Sequence, residues 1–143
     1  MLTHEKKKVL ILCTGNSCRS QMAEGIANHL YSDDFEMISA GTVASYVHPH
    51  AITVMNEIGI DISKYQSKSV NKFLGQPIDF IITVCSNADQ NCPIFPGPAK
   101  RIHWGFSDPA HAQCNLEEVL QQFRIVRDAI VEKFQKEWIQ TLQ

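Results

Sequence analysis

Long apolar runs are missing from this 143-residue sequence, and neither sign of charge is in large excess. The apolar stretch after the first lysines covers only Val9 to Cys13, which is too short for a signal peptide or a membrane helix. The formal net charge of −2 comes from scattered charges, so no basic surface for nucleic acid or a membrane is indicated. We expect a soluble, cytoplasmic, monomeric protein, with one domain over residues 1–143 and a small partner.

Disulfide and zinc patterns are also missing, although the chain has five cysteines. An odd number in a chain with ample core-forming residues argues against a secreted disulfide framework. The sequence spacing of Cys85 and Cys92 is longer than the C-x₂-C spacing of structural zinc sites, and no second pair of cysteines accompanies them. His48 and His50 have no metal-binding partner nearby in sequence and are interpreted as surface residues. We expect no metal site, and catalytic or redox chemistry at clustered cysteines.

Short apolar segments alternate with amphipathic ones along the chain. Strands are predicted over residues 8–13, 35–41, 79–85 and 101–106, and helices over 20–31, over 49–58 and from 115 towards the C-terminus. The first strand is continuously apolar, which is typical of a strand buried on both faces of a parallel sheet. The alternation predicts an α/β fold, a three-layer open sandwich with a central four-stranded parallel sheet and helices on both faces.

The segment CTGNSCRS, residues 13–20, leads from the first strand to the first helix, at the sheet edge where such folds bind ligands. Gly15 permits a backbone whose N–H groups turn inward, and the helix start at Ser20 adds a positive field. This field predicts a Cys13 thiolate, and the planar fork of Arg19 can hold two oxygens of an anion. The arrangement C-x₅-R is typical of nucleophilic phosphate chemistry, whereas Cys18 is interpreted as a spectator thiol.

Three more residues are predicted at the same edge of the sheet. Asp108 follows the fourth strand, where a carboxyl group can protonate a leaving oxygen, although the Asp-Pro dipeptide alone favours an ordinary turn. Cys85 ends the third strand, and Cys92 follows seven residues later. If the residues between them are helical, their Cα atoms lie roughly 10 Å apart, beyond the roughly 4.4–6.8 Å of a disulfide. We infer a redox switch in which this polar segment loops out and Cys92 moves towards Cys85.

Four motifs occur in order: CTGNSCRSQMAEG, SAG, TVCSNADQNCP and HWGFSDPA. Together they closely resemble the thioredoxin-coupled arsenate reductases, which share the fold of low-molecular-weight tyrosine phosphatases. The resemblance implies reduction of arsenate to arsenite, with phosphate or sulfate as competing oxyanions, thioredoxin as reductant and no tightly bound cofactor. It implies that Cys13 is the nucleophile, that Asp108 is the general acid, and that Cys85 and then Cys92 carry the oxidation away from Cys13 as disulfides.

The resemblance also implies an oxyanion-binding loop and a set of residues that support it. The loop residues are Thr14, Gly15, Asn16, Ser17, Cys18, Arg19 and Ser20, with Thr14 and Ser20 placed to stabilise the Cys13 thiolate. Asn16, Glu24 and Ser39 match residues through which some relatives bind potassium. Lys68 stands where those relatives have an acidic residue, and we expect its ammonium group to replace the ion.

Alternative functions stay open at this point. One is a low-molecular-weight protein tyrosine phosphatase, but such enzymes usually have aromatic residues after the Asp-Pro, where Ala110 and His111 stand here. They also have no use for Cys85 and Cys92. Another is an arsenate reductase coupled to glutaredoxin and glutathione, and a third is a non-enzymatic oxyanion-binding or redox-sensing module. Weak phosphatase activity is expected in any case. Cys114 has no role in the family and is interpreted as a surface or helix-start thiol.

Overall fold

Four parallel strands in the order β2-β1-β3-β4 form the sheet. The computed structural model describes residues 6–90, 92, 99–109 and 115–142. Its strands are β1 (Lys7–Cys13), β2 (Phe35–Gly41), β3 (Phe80–Thr83) and β4 (Lys100–His103). Its α-helices are α1 (Arg19–Tyr31), α2 (Pro49–Glu57), α3 (Ser86–Gln90) and α4 (Leu116–Thr141), and a 3₁₀ helix covers Val70–Phe73. The predicted α/β fold with a four-stranded parallel sheet is confirmed.

The core lies on both faces of β1. Residues 9–12 of this strand are all fully buried, and alternate side chains of a strand point to opposite faces, so both faces of the sheet are covered. Helices α1 and α4 pack against each other, and α2 packs against α4. An aromatic cluster anchors α4 through edge-to-face contacts among Phe35, Phe80, Trp104, Phe134 and Trp138.

Some element boundaries differ from the prediction. Strands β3 and β4 are shorter than predicted, although the backbone N–H groups of Val84 and Trp104 still bond to the neighbouring strands at 2.9 and 2.8 Å. The segment 86–90, for which helical spacing was considered, forms the short helix α3, and Ala88 within it is fully buried. Its polar composition, from which we inferred little apolar packing, gave no sign of this buried residue. Residues 93–98, Ala110, His111 and Cys114 lie outside the described residues.

The edge of the sheet where β1 and β2 end is the place where the predicted loop begins. Cys13 is paired with Gly41 across these strands, and Leu12 is paired with Thr83 of β3. This register brings the residue after each strand to one edge, which places residues 13–19 beside the start of α3. Within the described ranges, no helix is both long and apolar enough to cross a membrane.

Candidate active site

The loop over residues 13–18 turns its carbonyl groups outward. Four of its carbonyl oxygens accept backbone hydrogen bonds from the segment 42–48, with N···O distances of 2.8 to 3.1 Å: Cys13 from Thr42, Thr14 from Val43, Gly15 from Ser45 and Ser17 from His48. In a trans peptide, each carbonyl points opposite to the N–H of the next residue. The N–H groups of residues 14, 15, 16 and 18 therefore point to the inner side of the loop, as an anion-binding nest requires.

A pocket of about 210 Å³ opens inside this loop. Its lining residues are Cys13, Thr14, Gly15, Ser17, Cys18, Arg19 and Asp108. The Arg19 guanidinium donates to the Phe106 carbonyl at 3.2 Å and lies 3.5 Å from the Asp108 carboxylate. Its Nε–H is buried, and no residue in the described part of the chain accepts a hydrogen bond from it. A buried cationic donor beside inward N–H groups favours a bound oxyanion, which would satisfy that donor.

The Cys85 sulfur lies beside the loop. It accepts the Ala88 N–H at 3.4 Å and lies 3.3 Å from the hydroxyl of Thr14, the residue after Cys13. Its interaction with Cys13, together with these two donors, lowers the pKa of Cys85. Interaction with Cys85 and burial raise the pKa of Cys13, against the opposing effect of Arg19. The two thiols therefore compete for one negative charge, and the predicted Cys13 thiolate stays a prediction.

Asn16 and Ser20 support the loop from beneath the pocket. Asn16 has a left-handed backbone (φ 48°), a conformation that asparagine tolerates. Its side-chain nitrogen donates to Ser20 at 2.8 Å and Ser39 at 2.9 Å, and its oxygen accepts from Gln21 at 2.9 Å and the Lys68 backbone at 2.7 Å. Asn16 and Ser20 are fully buried, and neither lines the pocket. Internal hydrogen bonds hold both side chains beneath the loop, so the oxyanion-binding role predicted for these two residues stays a prediction that would involve their backbone N–H groups.

The predicted support residues form one network. A single Glu24 oxygen accepts the Ser39 N–H at 2.6 Å and the Ser39 hydroxyl at 2.9 Å, and it lies 3.4 Å from the Lys68 ammonium group. Gln21 completes the network by donating to the Asn16 carbonyl at 3.1 Å and the Gln66 carbonyl at 2.9 Å. Sequence reasoning missed Gln21, because nothing in its local pattern distinguishes it from a surface glutamine.

Thr14, Ser20 and Cys18 differ in part from their predicted roles. The Thr14 hydroxyl contacts Cys85, and the Ser20 hydroxyl accepts from Asn16, so the predicted stabilisation of a Cys13 thiolate by these two hydroxyls stays a prediction. Thr14 acts on Cys13 through its backbone N–H instead. Cys18 does line the pocket, and burial raises its pKa to about 11, so it stays a thiol near neutral pH. That state agrees with the predicted spectator role.

The segment 42–48 is a part of the site that sequence reasoning missed. It holds the loop carbonyls, and it ends at His48, whose Nδ1 accepts the His50 N–H at 3.1 Å and caps α2. The His48 ring packs 4.9 Å from the Phe123 ring. Both histidines are half-buried, so part of each side chain is exposed, as expected of a surface residue, and the rest packs against Phe123. Pro49 in the first helical turn could have indicated this role of His48, since the residue before a proline at a helix start is a natural N-cap position.

Cys92 lies beyond the carboxyl end of α3. It is half-buried and packs against the core, and helix α3 separates it from Cys85 along the chain. No disulfide joins the four cysteines that the structure describes. The structure thus brings Cys13, Cys85, Arg19 and Asp108 together directly.

The fold and the site define an enzyme of the low-molecular-weight phosphatase type. The family model for low molecular weight phosphotyrosine protein phosphatase matches residues 8–143, and the chain belongs to this family. Its relatives include a Shouchella clausii arsenate reductase, which is 47% identical over 131 residues, covering 92% of this chain and 94% of the relative. The predicted family is thereby confirmed.

Solved structures agree with this placement. An arsenate reductase in its intermediate state has a TM-score of 0.76 and 34% identity, covering 96% of this chain and 99% of that one. A thioredoxin-dependent arsenate reductase from Corynebacterium glutamicum has a TM-score of 0.65 and 26% identity, covering 99% of this chain and 66% of that one.

Replacing Gly41 with alanine is expected to displace the loop. A Cβ atom there would lie 2.5 Å from the Thr14 carbonyl oxygen and 2.8 Å from the Asn16 nitrogen, and neither backbone atom can move without the loop. We expect Gly41→Ala to destabilise the fold by about 1–3 kcal/mol and to weaken phosphate binding about tenfold or more. Urea unfolding and calorimetry would measure these effects.

The matched control is Gly105→Ala, whose new Cβ would meet only the end of the His103 side chain, at 3.3 Å. It should bind phosphate like the unchanged chain. Unaltered phosphate affinity in Gly41→Ala would contradict the close approach of Gly41 to the loop.

Proposed function

We propose that this chain reduces arsenate to arsenite by a cascade in which Cys13, Cys85 and Cys92 are oxidised in turn and thioredoxin is the final reductant. It is an arsenate reductase of the low-molecular-weight phosphatase type, as its relatives indicate. The observation that best supports the cascade is a second thiol beside the oxyanion pocket: the Cys85 sulfur lies 3.3 Å from the hydroxyl of Thr14, the pocket residue that follows Cys13. A phosphatase needs one thiol there, whereas a reductase needs a second that can donate electrons.

In the first step, the loop N–H groups and Arg19 hold the arsenate oxygens, and the Cys13 sulfur attacks arsenic. An arsenic–oxygen bond breaks, and Asp108 donates the proton with which the hydroxyl leaves as water. Arsenic remains As(V) in the resulting thiol adduct. Asp108 is well placed for this role, because it lines the pocket and lies 3.5 Å from Arg19.

In the second step, Cys85 attacks the Cys13 sulfur. A disulfide forms, the sulfur–arsenic bond breaks, and its electron pair stays on arsenic, which leaves as As(III) in arsenite. Cys92 then attacks Cys85 and releases Cys13, and thioredoxin reduces the Cys85–Cys92 disulfide. Helical spacing puts the Cα atoms of residues seven apart at roughly 10 Å, so α3 must unwind for this exchange. Because the cycle needs a reducing compartment, we place the enzyme in the cytoplasm.

The decisive experiment is steady-state arsenate reduction followed by NADPH oxidation. One arm contains thioredoxin and thioredoxin reductase, and the other contains glutaredoxin, glutathione and glutathione reductase. We expect arsenate-dependent turnover in the first arm, and none in a Cys13→Ser chain. Turnover only in the glutathione arm would overturn the choice of thioredoxin. Absence of turnover in both arms would overturn the reductase function itself.

Other tetrahedral oxyanions should compete for the same pocket. The loop N–H groups and Arg19 contact oxygen atoms rather than the central atom, so they do not easily distinguish arsenate from phosphate or sulfate. For the same reason, we expect slow hydrolysis of aryl phosphates at Cys13. This activity would be a side reaction, since Cys85 and Cys92 have no part in it.

We also propose that Lys68 takes the place of a potassium ion in this chain. The residues do not fit an added cation: the Lys68 ammonium already lies 3.4 Å from the Glu24 carboxylate, and it donates to the Gln66 carbonyl at 3.0 Å. The Asn16 oxygen already accepts two N–H donors. Reduction rates should therefore be equal, within about twofold, in potassium and sodium buffers of one ionic strength. Clear stimulation by potassium in the thioredoxin-coupled assay would contradict this proposal.

A further inference from the structure

We propose that Gln21 is a positioning residue of the oxyanion site: its side-chain amide holds the Asn16 carbonyl and so turns the Ser17 N–H into the pocket. The role deepens the proposed function and rests on it, because it concerns how the same pocket holds its oxyanion. The observations behind it are the hydrogen-bond partners of the loop carbonyls and the burial of the Gln21 amide.

One carbonyl group of the loop over residues 13–18 is held differently from the others. The segment 42–48 binds four of these carbonyls, and the first turn of α1 binds the Cys18 carbonyl at 2.9 Å. The remaining one, the Asn16 carbonyl, accepts from the Gln21 side-chain nitrogen at 3.1 Å. A side chain, rather than a backbone segment, therefore sets the direction of this peptide.

The direction of the Asn16 carbonyl decides where the Ser17 N–H points. Every peptide bond here is trans, so this N–H lies opposite to the Asn16 carbonyl. Ser17 lines the pocket, whereas Asn16 and Gln21 do not, and Gln21 draws the carbonyl towards the buried side of the loop. The Ser17 N–H therefore joins the inward N–H groups described for residues 14, 15, 16 and 18 and completes the anion-binding nest.

The surroundings of the Gln21 amide fix its orientation. Three oxygens surround its nitrogen: the Asn16 carbonyl at 3.1 Å, the Asn16 side-chain oxygen at 2.9 Å and the Gln66 carbonyl at 2.9 Å. The reversed amide would place its oxygen against these three acceptors. Gln21 is fully buried, and no residue in the described ranges donates to its own oxygen. Burying that unpaired oxygen costs stability that an apolar side chain would not cost, so the nitrogen is the atom with a task.

Asn16 needs this restraint because its backbone is left-handed, with φ at 48°. A residue with a side chain populates that conformation only sparsely, so its peptide rotates unless partners hold it. The Gln21 nitrogen contacts both the carbonyl and the side-chain oxygen of Asn16. Without this donor, the Ser17 N–H is no longer held towards the oxyanion.

The test follows single amide groups by NMR while sulfate, which carries the tetrahedral oxygens of arsenate, is added at constant ionic strength. In the reduced, ¹⁵N-labelled unchanged chain, we expect sulfate to shift the Ser17 and Gly15 N–H resonances downfield together. The variant is Gln21→Met, which keeps the length of the side chain and removes the donor. Its Ser17 shift at saturation should fall to less than about half, its Gly15 shift should persist, and its sulfate affinity should be about tenfold weaker.

Gln76→Met is the matched control, because the Gln76 amide contacts Lys72 and Lys8, away from the loop. It should keep both shifts and the sulfate affinity. A merely structural role of Gln21 would weaken the Ser17 and Gly15 responses equally. That result, or a full Ser17 shift in Gln21→Met, would overturn the proposal.

The unchanged chain alone also tests the inference, whether or not the variant folds. A Gly15 shift without a Ser17 shift would show that the Ser17 N–H does not contact the anion, which would overturn the role of Gln21. The titration contains neither arsenate nor thioredoxin, so it is independent of the coupled reduction assay. Loss of arsenate reduction with the expected amide shifts would remove the proposed function and leave the role of Gln21 standing.

Discussion

Replacing Cys92 with serine is expected to stop arsenate reduction after one turnover per chain. The Cys85 sulfur lies 3.3 Å from the hydroxyl of Thr14, the residue next to Cys13, so we expect the adduct and the first disulfide to form without Cys92. Cys13 then stays locked in that disulfide, because no third thiol attacks Cys85. A reduced, desalted chain mixed with excess arsenate should release about one arsenite per chain, and mass spectrometry should find the Cys13–Cys85 disulfide.

The control is Cys114→Ser, which should cycle at the unchanged rate in the thioredoxin assay. Continued turnover of Cys92→Ser would show that another thiol, or glutathione acting directly, releases Cys13. A trapped disulfide that includes Cys18 would show that the pocket thiol, rather than Cys85, donates the electrons. Burial keeps Cys18 protonated, its pKa being about 11, so we expect no such product.

Features that depend on local pattern were predictable from the sequence. The continuous apolar run of β1 required burial on both faces, and the change to helical periodicity after Ser20 required a loop at the sheet edge. Cys13 and Arg19 belong to that single loop, so their proximity follows from a short stretch of chain. The family resemblance added Cys85 and Asp108, which the fold brings to the same edge from β3 and β4.

Features that depend on contacts between distant segments were not predictable. The outward carbonyls of the loop are held by the segment 42–48, which follows a different strand. Asn16 and Ser20 belong to the predicted anion loop, yet Ser39 and Lys68 hold the Asn16 side chain beneath the loop, and Asn16 in turn donates to the Ser20 hydroxyl. Nothing in the local sequence states which side of a loop faces inward, since that choice is made by hydrogen-bond partners elsewhere in the chain.

The charge state of Cys13 also depends on a distant segment. The field of the loop alone predicts a thiolate at Cys13, because inward N–H groups and Arg19 both favour an anion there. The Ala88 N–H and the Thr14 hydroxyl contact the Cys85 sulfur, so a second thiol competes with Cys13 for the same negative charge. A thiol with a second thiol as its neighbour therefore cannot be assigned a charge from its own loop.

Replacing Arg19 with lysine is expected to lower kcat/KM for arsenate by about 10²–10³-fold although the positive charge is kept. The guanidinium donates from one nitrogen to the Phe106 carbonyl and places a second nitrogen near Asp108, and Arg19 lines the pocket with its Nε–H buried. A lysine ammonium is a single point of charge and cannot serve these directions together. Losing roughly two charge-assisted hydrogen bonds costs about 3–4 kcal/mol. The coupled assay measures the rate, and calorimetry with phosphate separates the lost binding from the lost catalysis.

Arg124→Lys is the matched control, because Arg124 joins α2 to α4 through Glu57 at 2.9 Å and contacts no pocket residue in the described structure. Its activity should stay within about twofold of the unchanged chain.

If Arg19→Lys kept the activity of the unchanged chain, a single positive charge at this position would be enough for the reaction. The loop N–H groups alone would then orient the oxyanion. If only phosphate affinity fell and kcat were kept, Arg19 would hold the substrate equally before and during the attack. The geometry favours a fall in both, since the fork that holds the oxygens also holds Asp108, from which the leaving oxygen takes its proton.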